Sequence, residues 1–133
     1  MMQNIVAVLK SMPDYIGANG RTDEEIDLAE KHLGCTFAED YRGYLAEIGL
    51  ACFDGHELTG LTKTERLNVV TVTTEQRKLF GEMVSTWYVV EETNIDGIVV
   101  WQDSIGAVYE TALPAYVRKI AGSLSDYYTA TRT

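Results

Sequence analysis

Basic residues are scarce in this sequence of 133 residues, which has 11 Lys and Arg against 20 Asp and Glu. The formal net charge is therefore −9. Proteins that bind nucleic acid draw much of their affinity from clustered Lys and Arg, and anionic membranes attract the same groups. The composition argues against nucleic-acid and membrane partners. It favours either a solvated acidic surface or a basic protein partner.

Long hydrophobic runs and cysteines are also rare. No apolar stretch approaches the roughly 20 residues that a membrane helix needs. The segment MMQNIVAVLKSM lacks the basic leader and the cleavage pattern of a signal peptide. Two cysteines, Cys35 and Cys52, are too few for a disulfide scaffold and fit a reducing compartment. We therefore expect a cytoplasmic protein whose two thiols are buried and unbridged.

Motifs for catalysis and for cofactors are missing as well. The sequence has no G-x-S-x-G elbow, no Walker loop and no G-x-G-x-x-G. One metal-like grouping exists, but its close pairs are His–Cys rather than Cys–Cys, and buried thiols explain it better. That grouping is His32-x-x-Cys35 with Cys52-x-x-x-His56. We predict a protein without enzyme activity, metal or cofactor.

Three helices are predicted in the first part of the chain. Apolar spacing indicates a helix near residues 2–12, which Pro13 ends. Thr22 and Glu25 form a capping box that predicts a second helix near residues 23–33. A third helix follows, because four residues recur at i, i+3, i+4 and i+7 as an aromatic stripe: Tyr41, Tyr44, Leu45 and Ile48.

Short β-branched or aromatic runs then alternate with turn residues, which predicts an antiparallel sheet of about five strands. A short helix over Thr74–Glu82 is predicted between the second and third strands. The predicted strands are Phe53–Leu58, Leu67–Val72, Trp87–Glu91, Ile98–Trp101 and Ala107–Thr111.

The C-terminal segment predicts a closing helix over the sheet. Pro114 suits a first helical position, and one apolar face follows it: Val117, Ile120, Ala121, Leu124 and Tyr128. Helices, then strands, then a helix predict a single α+β domain over residues 1–133. Eight residues are expected to be largely buried in it: Tyr41, Leu45, Ile48, Val99, Trp101, Val117, Ile120 and Leu124.

Acidic residues dominate one long stretch. Residues 79–117 contain no Lys, Arg or His but carry Glu82, Glu91, Glu92, Asp96, Asp103 and Glu110. Four aromatic residues of types common at interfaces are interleaved with these acids, and alternation places at least two of them in the core: Trp87, Tyr88, Trp101 and Tyr109. From this stretch we predict a partner-binding surface formed by Glu91, Glu92, Asp96, Trp101 and Asp103.

Two other acidic features have simpler explanations. Glu91 and Glu92 are consecutive on a strand, so they face opposite sides of the sheet and cannot share a substrate as acid and base. A second acidic cluster lies on the helix near residues 23–33 and consists of Asp23, Glu24, Glu25, Asp27 and Glu30. Capping and the helix dipole explain its first members.

Several short motifs occur in an order that resembles the SUKH superfamily. The first half has Thr22–Ile26, Leu33-Gly34 and then Asp40-Tyr41-Arg42-Gly43-Tyr44-Leu45 before Gly49. The second half has Thr74-x-x-Arg77, Asp96-Gly97 and the run from Asp103-Ser104-Ile105-Gly106 to Tyr109-Glu110. The likeness covers roughly residues 22–111.

The resemblance implies an α+β fold and a bacterial immunity protein that neutralises a cognate toxin without a cofactor. Such toxins are frequently nucleases of contact-dependent or polymorphic toxin systems. Eukaryotic relatives are regulatory scaffolds in cell-wall signalling, so a scaffold without a toxin is the alternative, and an unrecognised small hydrolase is a third. With the acidic charge, the resemblance leads us to expect a monomer that occludes a basic toxin domain.

Overall fold

The computed structural model describes residues 4–113 and 116–131. Its helices are α1 (Ile5–Lys10), α2 (Asp23–Leu33), α3 (Glu39–Glu47), α4 (Val69–Phe80) and α5 (Leu124–Thr131). Its strands are β1 (Ile16–Gly17), β2 (Ala51–Phe53), β3 (His56–Glu57), β4 (Tyr88–Glu92), β5 (Val99–Gln102), β6 (Val108–Ala112) and β7 (Tyr116–Ala121). Short 3₁₀ helices occupy Glu65–Leu67 and Gly81–Val84.

The strands form two antiparallel sheets. One has the order β1-β2-β3, and the other is a meander with the order β4-β5-β6-β7. The α+β class is confirmed, whereas the expected single sheet of about five strands is divided into these two. Three of the predicted strands, Trp87–Glu91, Ile98–Trp101 and Ala107–Thr111, lie within one residue of β4, β5 and β6.

The predicted strand over Leu67–Val72 is wrong, because α4 begins at Val69. The side chain of Asn68 accepts hydrogen bonds from the backbone N–H groups of Val70 and Thr71, which caps the helix and favours helical backbone over β-propensity. The helix predicted over Thr74–Glu82 corresponds to the second half of α4 and the 3₁₀ turn after it.

The strand predicted over Phe53–Leu58 is interrupted by a turn. Asp54 and Gly55 have positive φ angles of 45° and 83°, so the chain reverses there and forms the hairpin of β2 and β3. The sequence contains this Asp-Gly turn signal in the middle of the segment that is predicted as one strand.

The closing helix is only partly confirmed. α5 begins at Leu124, and the preceding predicted helical residues form β7, an edge strand that pairs with β6. Val117 and Ile120 are therefore half-buried rather than buried, since an edge strand has a neighbour on one side only. The predicted start at Pro114 lies outside the described residues. The other six expected core residues are buried: Tyr41, Leu45, Ile48, Val99, Trp101 and Leu124.

The larger sheet has apolar side chains on both faces. Tyr88, Val90 and Val100 lie in the main core with residues of α1, α2, α3 and α5. Val89 and Trp101 lie in a second cluster on the opposite face, together with residues of α4. The sheet is therefore a middle layer, and its strands are almost continuously apolar, as is typical of strands covered on both sides.

The Asp-Tyr-Arg motif at the start of α3 connects three elements. Asp40 accepts hydrogen bonds from the Gln102 side-chain nitrogen (2.9 Å) and from the Leu124 backbone N–H (2.8 Å). The Tyr41 hydroxyl lies 2.8 Å from the hydroxyl oxygen of Thr59. The motif thus joins α3 to β5, to the start of α5 and to the segment between the two sheets.

Arg42 completes the motif on the outer side of α3. Its guanidinium binds Asp27 at 2.7 Å and Glu30 at 3.1 Å, both on α2. The hydrogen bond to Asp27 and the charges of the α2 acids hold the pKa of Arg42 above its ordinary value. Two later members of the acidic cluster on α2 therefore have a structural role, the ion pairs that join α2 to α3, in addition to the capping and dipole roles of the first members.

A buried polar chain fixes the register between β4, β5 and the loop before α3. The Tyr88 hydroxyl donates to Gln102 Oε1 (2.6 Å) and accepts from the Ala38 backbone N–H (2.8 Å). The Gln102 side-chain nitrogen also donates to the Gly106 carbonyl (3.0 Å). Every buried side-chain polar atom in the described part of the chain has such a partner.

We predict that Tyr88→Phe lowers the free energy of unfolding by about 2–4 kcal/mol, since the Ala38 N–H and the Gln102 carbonyl oxygen both lose a buried partner. The matched control is Tyr116→Phe, whose hydroxyl binds Glu110 at an exposed site and should cost less than about 0.5 kcal/mol. Urea titration of both variants measures the difference. Equal losses would show that the buried chain does not stabilise the fold.

Candidate partner interface

Glu91 lies in the interior. The pairing of β4 with β5 shifts register between Val89 and Glu91, and this bulge turns Glu91 toward the main core. Glu91 is 2% exposed; its carboxylate accepts a 2.8 Å hydrogen bond from the Tyr128 hydroxyl and lies 2.8 Å from Nδ1 of His56. Glu91 therefore joins β4, the β2–β3 hairpin and α5, and it cannot contact a partner as predicted.

The contact with Glu91 also gives a structural role to His56, which is one member of the metal-like grouping. His56 pairs opposite Phe53, so both side chains lie on one face of the small sheet, while Cys52 faces the other side. His32 is exposed on α2. Within residues 4–113 and 116–131, no three His, Cys, Asp or Glu side chains form a group that could hold a metal ion.

The two cysteines are unbridged and half-buried. Cys35 packs against the main core, and burial raises the pKa of its thiol above the ordinary value. A raised pKa lowers the fraction of reactive thiolate, so the environment of Cys35 is that of a structural thiol.

Trp101 is completely buried and cannot serve as a surface anchor. Its indole N–H donates to the Thr111 hydroxyl at 2.8 Å, and its ring contacts Phe80 of α4. The alternation argument is correct for the four aromatic residues as a group, because Tyr88 and Trp101 are core. The other two, Trp87 and Tyr109, are half-buried and stack with ring centroids 3.9 Å apart.

Asp103 uses its carboxylate inside its own turn. One oxygen accepts backbone hydrogen bonds from Ile105, Gly106 and Ala107 at 2.9–3.0 Å, and the other accepts the Tyr109 hydroxyl at 3.0 Å. The side chain is half-buried. We therefore infer that Asp103 shapes the turn between β5 and β6 rather than offering its charge to a partner.

Glu92 is half-buried and Asp96 is exposed, both where the β4–β5 hairpin turns. Glu92 pairs opposite Val99 on the face toward α4, and Gln76 of α4 donates to one of its carboxylate oxygens at 2.6 Å. Asp96 is exposed in the turn and has a positive φ of 53°, followed by Gly97. These two predicted acids lie at one end of the larger sheet.

A cleft of about 250 Å³ opens beside Glu92 between α4 and this hairpin; we call it the hairpin cleft. A second cavity of about 170 Å³ adjoins it and shares Glu92 and Asn94 as lining residues. The hairpin cleft is lined by Gln76, Leu79, Phe80, Glu92, Asn94, Gly97, Ile98, Val99 and Leu113.

Exposed apolar side chains lie in and beside the hairpin cleft. Leu79 and Leu113 line the hairpin cleft and are more than half exposed, as is Ile95 in the adjoining turn. Grouped exposed apolar residues with a polar rim are typical of interaction sites. Periodicity did not reveal this group, because it combines a helix, a turn and a strand end that are distant in sequence.

The larger sheet is less acidic than the stretch 79–117 suggested. β7 adds Arg118 and Lys119 beside β6, and Arg118 binds Glu110 at 2.7 Å. With Glu91 buried and Asp103 engaged in its turn, the exposed acidic surface of this stretch is reduced. Of its remaining predicted members, Glu92 lines the hairpin cleft and Asp96 lies in the adjoining turn.

Comparison with known protein families agrees with this architecture. Residues 2–127 match the family SUKH_5, described as SMI1-KNR4 cell-wall. The chain belongs to the SUKH superfamily. A comparison with curated proteins gives no match. Membership fits an immunity-type or interaction protein, and the family is generally non-catalytic.

None of the helices in the described ranges has the length and apolar character to cross a membrane. That the protein holds no metal and no cofactor, and that it is cytoplasmic, remain predictions.

The buried tyrosines of this SUKH protein predict that its stability falls at alkaline pH. Burial raises the pKa of Tyr41, Tyr44, Tyr88 and Tyr128 above the usual value of 10.0, and the Glu91 carboxylate adds to the effect at Tyr128. Burial, followed by Glu91, raises the pKa of Tyr127 to about 12. The native state thus holds phenolic protons that the unfolded chain releases above pH 10.

We predict that the free energy of unfolding falls as the pH rises above 10, because the unfolded state then binds fewer protons than the native state. Each retained proton contributes a slope of about 1.4 kcal/mol per pH unit up to the native pKa of its tyrosine. Urea titrations between about pH 8 and pH 11 measure this slope, which Tyr128→Phe should reduce. More tyrosinate absorbance before unfolding than the three solvent-accessible tyrosines Tyr15, Tyr109 and Tyr116 can supply would contradict the prediction.

Proposed function

We propose that this SUKH protein is a cytoplasmic immunity protein that binds a cognate bacterial toxin domain, such as a nuclease, and neutralises it by occlusion. The observation that carries the proposal is the hairpin cleft with its adjoining turn, where Glu92 and Asp96 lie near exposed apolar side chains in a protein of net charge −9. Family membership supports the immunity class.

The two kinds of side chain at the hairpin cleft have different effects on binding. Exposed carboxylates accelerate encounter with a basic partner and set its orientation, whereas apolar contacts slow dissociation. Glu92 and Asp96 would pair with Lys or Arg that a nuclease otherwise uses to hold phosphate. A partner held there covers its own phosphate-binding surface, so inhibition requires no chemistry by this chain.

We predict that Glu92→Gln and Asp96→Asn each lower the association rate several-fold at low salt, with a smaller effect on dissociation, since both acids are at a rim. The probe is the protein encoded by the reading frame immediately upstream of the gene, and binding kinetics are compared at low and high ionic strength. Salt should reduce the difference between the variants and the parent, because exposed charges are screened within about 10 Å at 0.1 M salt.

The matched control is Glu24→Gln, which removes one exposed acid from the first turn of α2, away from the hairpin cleft. It should bind like the parent. A reduced rate for Glu24→Gln alone would move the interface to α2. Parent protein that does not bind the upstream product would contradict the immunity role and leave the regulatory scaffold as the better hypothesis.

A further inference from the structure

The turn between β5 and β6 lies at the opposite end of β5 from the hairpin cleft and displays one apolar side chain. Ile105 is 92% exposed, more than any other large apolar residue in the described part of the chain. Single exposed apolar residues are common on protein surfaces, so exposure alone indicates little. The unusual feature of Ile105 is how firmly its backbone is held.

The isoleucine turn, residues 103–106, is held by an extensive set of hydrogen bonds for its length. The Asp103 carboxylate accepts three backbone N–H groups, including that of Ile105 itself at 3.0 Å. Backbone bonds between Asp103 and Ala107 (3.0 Å) and from Gly106 to Asp103 (3.2 Å) close the turn. The buried Gln102 side-chain nitrogen donates a hydrogen bond to the Gly106 carbonyl.

An aromatic stack supports the same turn from the side. The Tyr109 hydroxyl donates to the second oxygen of Asp103, and the Tyr109 ring stacks on Trp87 with an angle of 9° between their planes. Gly106 has a φ of 116°, which side chains rarely allow, so the turn requires a glycine directly after Ile105. The aliphatic side chain of Ile105 thus projects from a rigid support beside two half-buried aromatic rings.

We propose that Ile105 is a pre-organised apolar anchor that inserts into an apolar pocket of the partner protein, with Asp103 as the residue that positions it. The identity of the partner rests on the proposed function: it is the basic toxin domain. A rigid turn loses little conformational entropy when it binds, and an apolar side chain that fills a desolvated pocket of the partner can contribute strongly to the affinity.

Charge favours a basic partner over a second copy of this chain. Gly106 lies near the carbonyl of Gly122, and Gly122 lies near the carboxylate of Asp126, so an exposed acid flanks the isoleucine turn. Two copies of a protein with net charge −9 repel each other, whereas a pocket bordered by Lys or Arg is attracted. The four residues of β5 separate the turn from the hairpin cleft by about 13 Å, which one interface can cover.

The first test is the affinity of Ile105→Ala for the upstream gene product. We expect a loss of about 10-fold to 100-fold, mainly through faster dissociation, because an inserted apolar side chain acts after encounter. The matched control is Ile16→Ala in the smaller sheet, where the side chain is also exposed and the affinity should stay within about 2-fold. Both variants should unfold at the same urea concentration as the parent.

The second test separates the positioning role of Asp103 from its charge. Asp103→Ala removes the acceptor of three backbone N–H groups, so fast backbone motion at residues 105–107 should increase in NMR relaxation and affinity should fall. Asp103→Asn keeps a side-chain oxygen acceptor and should restore most of the rigidity and the affinity without the charge. Loss of affinity in Asp103→Asn with an unchanged, rigid turn would show that the charge itself binds, which overturns the positioning role.

Three outcomes decide the anchor. Ile105→Ala that binds like the parent, while Glu92→Gln binds more slowly, overturns the anchor and leaves the proposed function intact. A parent protein that does not bind the toxin overturns both. Sedimentation that shows a dimer of the parent and a monomer of Ile105→Ala assigns the turn to self-association and overturns the partner proposed above.

Discussion

The rest of the structure depends on the hydrogen bonds that the side-chain amide of Gln102 forms. It is completely buried, and its hydrogen bonds go to Tyr88, Asp40 and Gly106, which belong to a neighbouring strand, a helix and a turn. A buried amide left unpaired costs free energy, so the fold must bring all three partners to the end of β5 together. This requirement fixes the register of β4 against β5 and the position of α3. It also places the isoleucine turn.

The motifs that carry the likeness to the SUKH superfamily have structural roles of this kind. Arg77 of the Thr-x-x-Arg motif donates to the carbonyls of Leu33 and Trp87, and thereby joins α4 to the end of α2 and to β4. Asp40, Tyr41 and Arg42 join α3 to its neighbours in the same way. Such residues identify the fold because the fold requires them. They carry no information about a partner, which explains why the resemblance predicted the architecture and no contact residues.

Local patterns predicted the elements that local forces determine. The α2 boundaries follow from the Thr22–Glu25 capping box and from Gly34 at φ 65°, both of which can be read from the sequence. β7 depends instead on pairing with β6, and its apolar residues also satisfy a helical period, so periodicity alone could not identify it. For similar reasons, the sequence did not reveal that two residues of the predicted interface are buried. A register shift buries Glu91, and the covering of the sheet by α4 buries Trp101.

The central strands of the larger sheet are packed on both faces, whereas the turns at their ends are exposed, and this difference bears on the proposed partner specificity. Side chains on both faces of β4 and β5 pack in a core, where a change of volume or polarity costs stability. The turns at the ends of β5 project beyond that core: Ile95, Asp96 and Ile105 are exposed. Substitution of an exposed side chain usually changes stability by less than about 0.5 kcal/mol. Substitutions at these turns would therefore change the proposed recognition surface, while the buried polar chain continues to hold the turn between β5 and β6 in place.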